Sequence, residues 1–245
     1  MPTIDVPARL ADIRARLDAA VARRNPSIAA DAPEVRLIGV SKRQPLAKLE
    51  AAHAAGLRDF GENYAQELRD KQRDWAPAGD DAPRWHYIGA LQSNKLKYLV
   101  GKTTLIHTVD RPELLTAIDR RAHAAGVVQD VLIEVAIAGE AQKAGVAPAA
   151  LPDLLAACER AEHGSVRCLG LMIIPPAGTP EDTRCWFQAL RELRDDLRGR
   201  FPGTGEAPRV LLRELSMGMS SDFEVAIAEG ATLVRVGTAI FGPRN

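Results

Sequence analysis

Short apolar runs alternate with longer amphipathic segments along most of the chain. The runs are rich in Val, Ile and Leu, which favours β-strands. They lie at residues 35–41, 58–61, 85–89, 104–109, 131–137, 166–172, 210–215 and 232–236. The intervening helical patterns lie near residues 45–55, 63–74, 93–100, 111–124, 148–162, 181–200 and 221–229. Since runs such as VLIEV are apolar on both faces, the alternation predicts a parallel sheet covered by helices.

Eight strand and helix units favour a closed barrel over an open sheet. An open doubly wound sheet is the alternative, but no GxGxxG motif follows the first strand. Before the first strand, apolar residues recur every three or four positions over residues 6–23, which predicts an additional helix. No linker divides the chain. The sequence therefore predicts a single (β/α)8 TIM-barrel domain over residues 1–245, with an N-terminal helix at about 6–23 and the barrel at about 35–242.

Composition and charge narrow the classes of function. Lys plus Arg and Asp plus Glu are both 32, so no net charge favours nucleic acid as a partner. Cys158, Cys168 and Cys185 are odd in number and lack CxxC spacing, which argues against a disulfide framework or a zinc site. The N-terminus has no apolar signal region, and no stretch approaches the roughly 20 apolar residues of a membrane span. We therefore expect a cytoplasmic protein that binds neither membranes nor nucleic acids.

Small and hydroxyl-bearing residues follow the last two predicted strands. Ser216, Met217 and Gly218 follow strand seven, and Gly237 and Thr238 follow strand eight. Barrel proteins often bind phosphate in these two loops, since glycine lets backbone N–H groups approach an anion. The alternative is that the glycines only form turns.

Lys42 directly follows the first predicted strand. A lysine there is often a solvated surface charge, but at a barrel's carboxyl face partial desolvation favours a neutral, nucleophilic amine. An amine beside a phosphate site indicates a Schiff base with a phosphorylated carbonyl compound. A pyridoxal phosphate protein and a Schiff-base aldolase both fit this pattern.

Six segments favour the first of these classes. They are GVSKRQP (39–45), FGENYAQE (60–67), WHYIGALQSNK (85–95), GLMIIPP (170–176), LSMGMSSDFEVAIAEGAT (215–232) and VRVGTAIFG (234–242). In sequence and in order, from about residue 35 to the C-terminus, the chain resembles the pyridoxal phosphate homeostasis protein family. The resemblance implies a barrel like the N-terminal domain of alanine racemase, which is pyridoxal phosphate fold type III, with pyridoxal 5′-phosphate as cofactor.

The resemblance also implies roles for individual residues. Lys42 matches the lysine that forms the Schiff base, and Arg235 matches the arginine that faces the pyridine nitrogen. The phosphate-binding stretches and the residues near the cofactor ring match Ser216, Met217, Gly237, Thr238, Asn63, His86 and Met172. For His86 and Met172, a place in the barrel interior is the alternative. The family usually has Asn where this chain has Ala136, and we expect Lys143 in the same segment to be exposed rather than a secondary cofactor contact.

The resemblance favours a carrier that maintains the supply of pyridoxal phosphate over an enzyme. A cationic Arg235 disfavours protonation of the pyridine nitrogen and so weakens the cofactor as an electron sink. Two-base racemisation needs a second acid/base group, and Tyr64, Tyr87 and Tyr98, the only tyrosines, do not supply an evident one. A weak racemase-type enzyme is the alternative. We expect a monomer, with pyridoxal phosphate-dependent apoenzymes as possible clients.

Overall fold

Eight parallel strands form a closed barrel in the computed structural model, which describes residues 4–29, 34–77, 79–138, 144–203 and 207–243. Each strand pairs with the next along the chain, and the eighth pairs with the first. The strands are β1 (Arg36–Val40), β2 (Asp59–Glu62), β3 (Arg84–Tyr87), β4 (Leu105–Val109), β5 (Gln129–Glu134), β6 (Val166–Met172), β7 (Val210–Ser216) and β8 (Leu233–Val236). The predicted (β/α)8 class is therefore confirmed.

Helices cover the outside of this barrel. The α-helices are α1 (Val6–Ala22), α2 (Pro26–Ala29), α3 (Leu46–Ala54), α4 (Ala65–Asp74), α5 (Pro112–Ala124), α6 (Leu151–Glu159), α7 (Pro180–Arg200), α8 (Phe223–Ala228) and α9 (Thr238–Phe241). Shorter 3-10 helices occur at Gly79–Asp81, Ser93–Tyr98 and Pro148–Ala150. Within the ranges that the structure describes, no helix combines the length and the apolar character needed to cross a membrane.

The helix α1 packs against the helices that flank the first and last strands of the barrel. The side chain of Asp5 caps it by accepting a hydrogen bond from the amide of Ala8. Its apolar stripe, which includes Leu10 and Ile13, is buried against α3, α8 and α9. The helix α3 follows β1, whereas α8 and α9 precede and follow β8. The helix α1 therefore contacts both the first and the last units of the barrel.

Several predicted elements differ from the observed ones in their bounds or type, and two of them are described here. The segment predicted as a helix at 93–100 forms a 3-10 helix over Ser93–Tyr98 instead of an α-helix. The buried Leu99 and Val100 follow directly after it. The fifth strand was predicted at 131–137 but ends at Glu134. The amide of Val135 still donates to the carbonyl of Met172 on β6, but the amide of Ala136 donates to the carbonyl of Val146. Beyond Val135, the polypeptide therefore pairs with a returning segment instead of continuing along the barrel.

The barrel interior is separate from the core between strands and helices. Six apolar side chains form this inner cluster: Ile38, Leu105, Leu132, Leu169, Met172 and Leu233. Since side chains alternate along a strand, residues two positions further on share the interior, toward the carboxyl ends. His107, Glu134 and Arg235 follow Leu105, Leu132 and Leu233 in this way. The strands therefore place a polar layer between the inner cluster and the carboxyl face.

Candidate cofactor-binding site

A cavity of about 300 Å³ opens at the carboxyl ends of the strands. Five of the nine predicted site residues line it, namely Lys42, Asn63, Arg235, Gly237 and Thr238. The other lining residues that the structure describes are Val40, Ile88, Ile174, Met219, Ser220 and Ser221. The cavity therefore brings together residues that follow β1, β2, β7 and β8, although they are far apart in sequence.

The turn after β1 fixes the position of Lys42, which is half-buried. The backbone of Arg43 adopts a left-handed conformation with φ of 56°. The amide N–H of Arg43 donates to Glu67 Oε1 at 2.6 Å, and the amide of Gln44 donates to the carbonyl of Ser41 at 3.1 Å. A left-handed conformation is unfavourable for arginine, so these bonds hold the chain in a sharp turn toward the cavity.

A buried ionic cluster supports this turn from below. Lys71 Nζ donates to the carbonyl of Ser41 at 2.7 Å, to Glu62 Oε1 at 2.6 Å and to Glu67 Oε1 at 2.7 Å. The hydroxyl of Ser41 donates to the same Glu62 oxygen at 2.6 Å. Burial raises the pKa of Glu62, while the neighbouring ammonium group of Lys71 opposes this effect. The cluster ties α4 to the residue immediately before Lys42.

The loops after β7 and β8 form the opposite wall. Gly218 has φ of +90°, and a Cβ there would lie 2.6 Å from the Cβ of Ala226, so the turn requires glycine. The amide of Gly237 donates to Ser220 Oγ at 3.3 Å, which joins the two loops. Ser221 and Thr238 add two further hydroxyls to the wall. The described lining includes no acidic side chain, so this wall suits an anion.

Arg235 is a buried cation at the floor of the cavity. Its Nη1 donates to Ser216 Oγ at 2.6 Å, and its Nη2 donates to the carbonyl oxygen of Ile173 at 2.8 Å. Burial lowers the pKa of Arg235 to about 10, although the charges of Glu134 and Asp222 act in the opposite direction. The guanidinium group is therefore still cationic at neutral pH.

Four predicted site residues do not line this cavity. Met172 belongs to the inner apolar cluster, and Met217 is fully buried in the outer core, with its amide donating to the carbonyl of Leu233. His86 is fully buried in the barrel interior, where its ring contacts His107. Ser216 is fully buried and reaches the cavity only through Arg235. Their direct contact with a cofactor stays a prediction.

Sequence reasoning missed several residues of the wall. Ser220 and Ser221 supply hydroxyls, and Ile88 and Ile174 supply apolar surface. The two serines could have been identified from the sequence, because they lie in the same motif as Ser216 and carry the nearest hydroxyls beyond the turn at Gly218. Ile88 and Ile174 carry no such signal, because an isoleucine at a strand end looks like any other core residue.

A second chamber of about 220 Å³ adjoins the first and shares Asn63, Ile88 and Ile174 with it. Its other walls include Ala136 and Glu134. Burial raises the pKa of Glu134 to about 7, with a further upward contribution from the charge of Asp110. Asn63 Oδ1 is buried and has no hydrogen-bond partner among the described residues. Lys143 lies outside the described residues.

Comparison with known proteins identifies the family. The alanine racemase N-terminal domain family matches residues 19–245 of the chain. The pyridoxal phosphate homeostasis protein of Aquifex aeolicus is 47% identical over 211 residues, which are 86% of this chain and 87% of that protein. The protein of the same name from Escherichia coli K12 is 38% identical over 246 residues, covering 98% and 97% of the two chains. The chain belongs to the pyridoxal phosphate homeostasis protein family.

Solved structures agree with membership of the pyridoxal phosphate homeostasis protein family. PipY of Synechococcus elongatus, solved with pyridoxal phosphate bound, is 37% identical and has a TM-score of 0.76, covering 97% of this chain and 100% of PipY. Alanine racemase from Corynebacterium glutamicum has a TM-score of 0.61 at 16% identity, covering 92% of this chain and 61% of the racemase. The second likeness shows the fold alone.

Proposed function

We propose that this protein binds pyridoxal 5′-phosphate as a Schiff base on Lys42 and maintains the intracellular supply of that cofactor. One observation carries the proposal: a single cavity joins a lysine, an anion-binding wall and a buried arginine. The names of the relatives from Aquifex aeolicus and Escherichia coli, and the PipY structure with bound cofactor, support the same function.

The residues of the cavity fit the chemical groups of this cofactor. The hydroxyls of Ser220, Ser221 and Thr238 are suitable donors for a phosphate group. Asn63 Oδ1, which no described residue satisfies, is an acceptor suited to a hydroxyl group at the cavity wall. Val40, Ile88 and Ile174 offer apolar surface against which a flat ring can pack.

Arg235 favours storage over catalysis. Bound pyridoxal phosphate supplies an aldehyde that condenses with amines and a ring that withdraws electrons, most strongly when its nitrogen is protonated. We propose that Arg235 faces that nitrogen. Because Ser216 and Ile173 fix a guanidinium group that is cationic at neutral pH, a second positive charge beside it is unfavourable. Arg235 therefore limits the chemistry that the protein supports, while Lys42 retains the cofactor.

Reconstitution with pyridoxal phosphate tests this proposal. The purified protein is expected to develop a visible absorbance band, and borohydride reduction followed by peptide mapping should place the modification on Lys42. The variant Lys42→Arg keeps the charge but cannot form the linkage, so it should lose the band. Lys102→Arg is the matched control, because Lys102 is an exposed lysine that precedes β4 at the opposite end of the barrel. The proposal is contradicted if the parent protein develops no band or if the modification lies on another residue. If the band is absent, a Schiff-base aldolase remains as the alternative function.

A weak racemase-type activity is the second candidate, because the adjoining chamber holds an acid/base group. Glu134 has a pKa of about 7 and lies in a chamber that shares Asn63 with the cavity. Measurement of α-proton exchange and racemisation of amino acids in D2O decides between the two functions. Turnover that is lost in both Lys42→Arg and Glu134→Gln supports the enzyme. Absence of turnover in the loaded parent protein supports the carrier.

We also propose that the protein acts in the cytoplasm as a monomeric, single-domain carrier whose clients are pyridoxal phosphate-dependent apoenzymes. The three cysteines are free thiols, and Cys185 is exposed, which is typical of a reducing compartment. Light scattering tests the monomer. Activation of an apoenzyme by loaded protein, compared with loaded Lys42→Arg, tests transfer.

A further inference from the structure

A continuous hydrogen-bonded chain crosses the interior of the barrel and ends at Arg235. Asp59 Oδ1 lies 2.9 Å from His86 Nε2, and His86 Nδ1 lies 3.0 Å from His107 Nε2. His107 Nδ1 lies 2.9 Å from Ser216 Oγ, which accepts from Arg235 Nη1 at 2.6 Å. All five side chains are buried, and both histidine rings are fully so. This hydrogen-bonded chain includes two buried histidines, His86 and His107, to which the function proposed above assigns no role.

At the Asp59 end of this hydrogen-bonded chain, the protonation state of Asp59 determines which nitrogen of His86 carries a hydrogen. Arg84 binds both carboxylate oxygens of Asp59, at 2.9 and 2.6 Å. Burial by itself raises the pKa of Asp59, but the hydrogen bonds from His86 and Arg84 and the charge of Arg84 bring it to about 2. Asp59 is therefore an ionised carboxylate that only accepts, so Nε2 of His86 must carry a hydrogen.

The remaining hydrogens follow from the geometry. Only one hydrogen fits between the two rings, and burial lowers the pKa of His86 and that of His107. With both rings neutral, Nδ1 of His86 accepts from Nε2 of His107. Nδ1 of His107 then accepts from the hydroxyl of Ser216, whose lone pairs remain for Arg235. In the reverse arrangement, Ser216 would receive two hydrogens, and its own would lack an acceptor among the described residues.

We propose that His86 and His107 are positioning residues, each neutral and protonated on Nε2, that hold Arg235 in place through Ser216. Every donor in this arrangement points from Arg235 toward Asp59. The chain therefore fixes the Ser216 hydroxyl in the one orientation that leaves its oxygen free to accept from the guanidinium group. Because each bond polarises the next, the carboxylate also strengthens the acceptor at Ser216.

The role in positioning rests on the proposed function, since it assumes that Arg235 contacts the cofactor. Apart from Ser216, the hydrogen-bond acceptor of the Arg235 guanidinium group among the described residues is the carbonyl of Ile173. With one of these two acceptors lost, the guanidinium group is free to rotate about the other. A bound cofactor would then meet a mobile cation instead of a fixed one.

Nitrogen NMR of the full chain without cofactor tests the hydrogen positions directly. With 15N-labelled histidine, His86 and His107 are expected as neutral Nε2–H tautomers that do not titrate between pH 5 and 8. His86→Asn and His107→Asn assign the two signals among the five histidines of the chain. A protonated Nδ1 in either ring, or a ring that titrates in this range, overturns the proposed chain. This result does not depend on whether the protein binds pyridoxal phosphate.

Variants loaded with the cofactor test the positioning role. His107→Leu cannot accept from Ser216, so we expect a shifted absorbance maximum and about tenfold faster cofactor loss, the factor for one lost charge-assisted bond. His107→Asn offers an oxygen near the position of Nδ1 and should restore much of the parent spectrum. Ser216→Ala should behave like His107→Leu. If the parent binds the cofactor and the spectra of folded His107→Leu and Ser216→Ala match it, the positioning role is wrong.

Discussion

Replacement of Lys71 by methionine should destabilise the turn that carries Lys42. The ammonium group makes three short hydrogen bonds, to Ser41, Glu62 and Glu67, and the Glu62 side chain is completely buried. Glu62 Oε2 already has no partner among the described residues. Removal of one partner from a buried ion pair costs about 3–5 kcal/mol, because the other charge is left uncompensated. For a domain of this size, the melting temperature should fall by roughly 6–20 °C.

Urea denaturation at several pH values measures this effect. Loss of Lys71 raises the pKa of Glu62 further above its unfolded value, so the native state gains stability when Glu62 takes up a proton. The deficit of Lys71→Met should therefore be largest at neutral pH and shrink as the pH falls toward the unfolded pKa of Glu62, about 4.3. The double variant Glu62→Gln/Lys71→Met should recover a large part of the loss at pH 7.

Two comparisons make the result decisive. Lys102→Met changes an exposed lysine in the same way and should alter the free energy of unfolding by less than about 0.5 kcal/mol. In folded Lys71→Met, cofactor release should be faster than in the parent, because Ser41 directly precedes Lys42. A loss of less than about 1 kcal/mol at pH 7, the value typical of a surface pair, would refute the reasoning. A deficit that does not depend on pH would also refute it.

Three further predictions concern other parts of the site. Because burial raises the pKa of Glu134 from 4.5 to about 7, native stability should fall as the pH rises through that window. Urea titrations of Glu134→Gln should lack this decline, which amounts to about 3 kcal/mol. Thr238→Ala should weaken cofactor retention, measured by dialysis, by about 1–2 kcal/mol. The control Thr116→Ala changes an exposed threonine on α5 and should not weaken it. If the two variants retain the cofactor equally, Thr238 is not part of the phosphate site. Gly218→Ala should lose about 2–4 kcal/mol in thermal unfolding, since its backbone is left-handed and crowded, while Gly199→Ala in a helix with open space should not destabilise.

Much of the site could be placed from the sequence because it depends on strand ends. Parallel strands in a barrel direct their carboxyl ends to one face, so residues that follow β1 and β8 must meet there. Lys42, Gly237 and Thr238 are of this kind. Their spacing along the chain, and the family resemblance of their motifs, specify them without knowledge of packing.

The four residues that lie outside the cavity show the limit of this reasoning. His86 and Met172 lie on strands and are buried in the barrel interior, so their depth along the strands decides whether they reach the cavity. The motif places Ser216 and Met217 next to the turn, but whether each side chain points into the cavity depends on where the strand ends. The sequence pattern alone does not determine that point to one residue, and the same uncertainty moved the end of β5 from Ile137 to Glu134.

The order of apolar and helical segments by itself determined the eightfold alternation, the closed barrel and the face on which Lys42 lies, because these depend on local periodicity and on the geometry of parallel strands. Only the tertiary structure decided the burial of Glu62 and Lys71, the chamber around Glu134 and the interior chain from Asp59 to Arg235. These arise where side chains from different strands meet at hydrogen-bond distance. Such contacts depend on the register and burial of the whole barrel, which no single segment encodes.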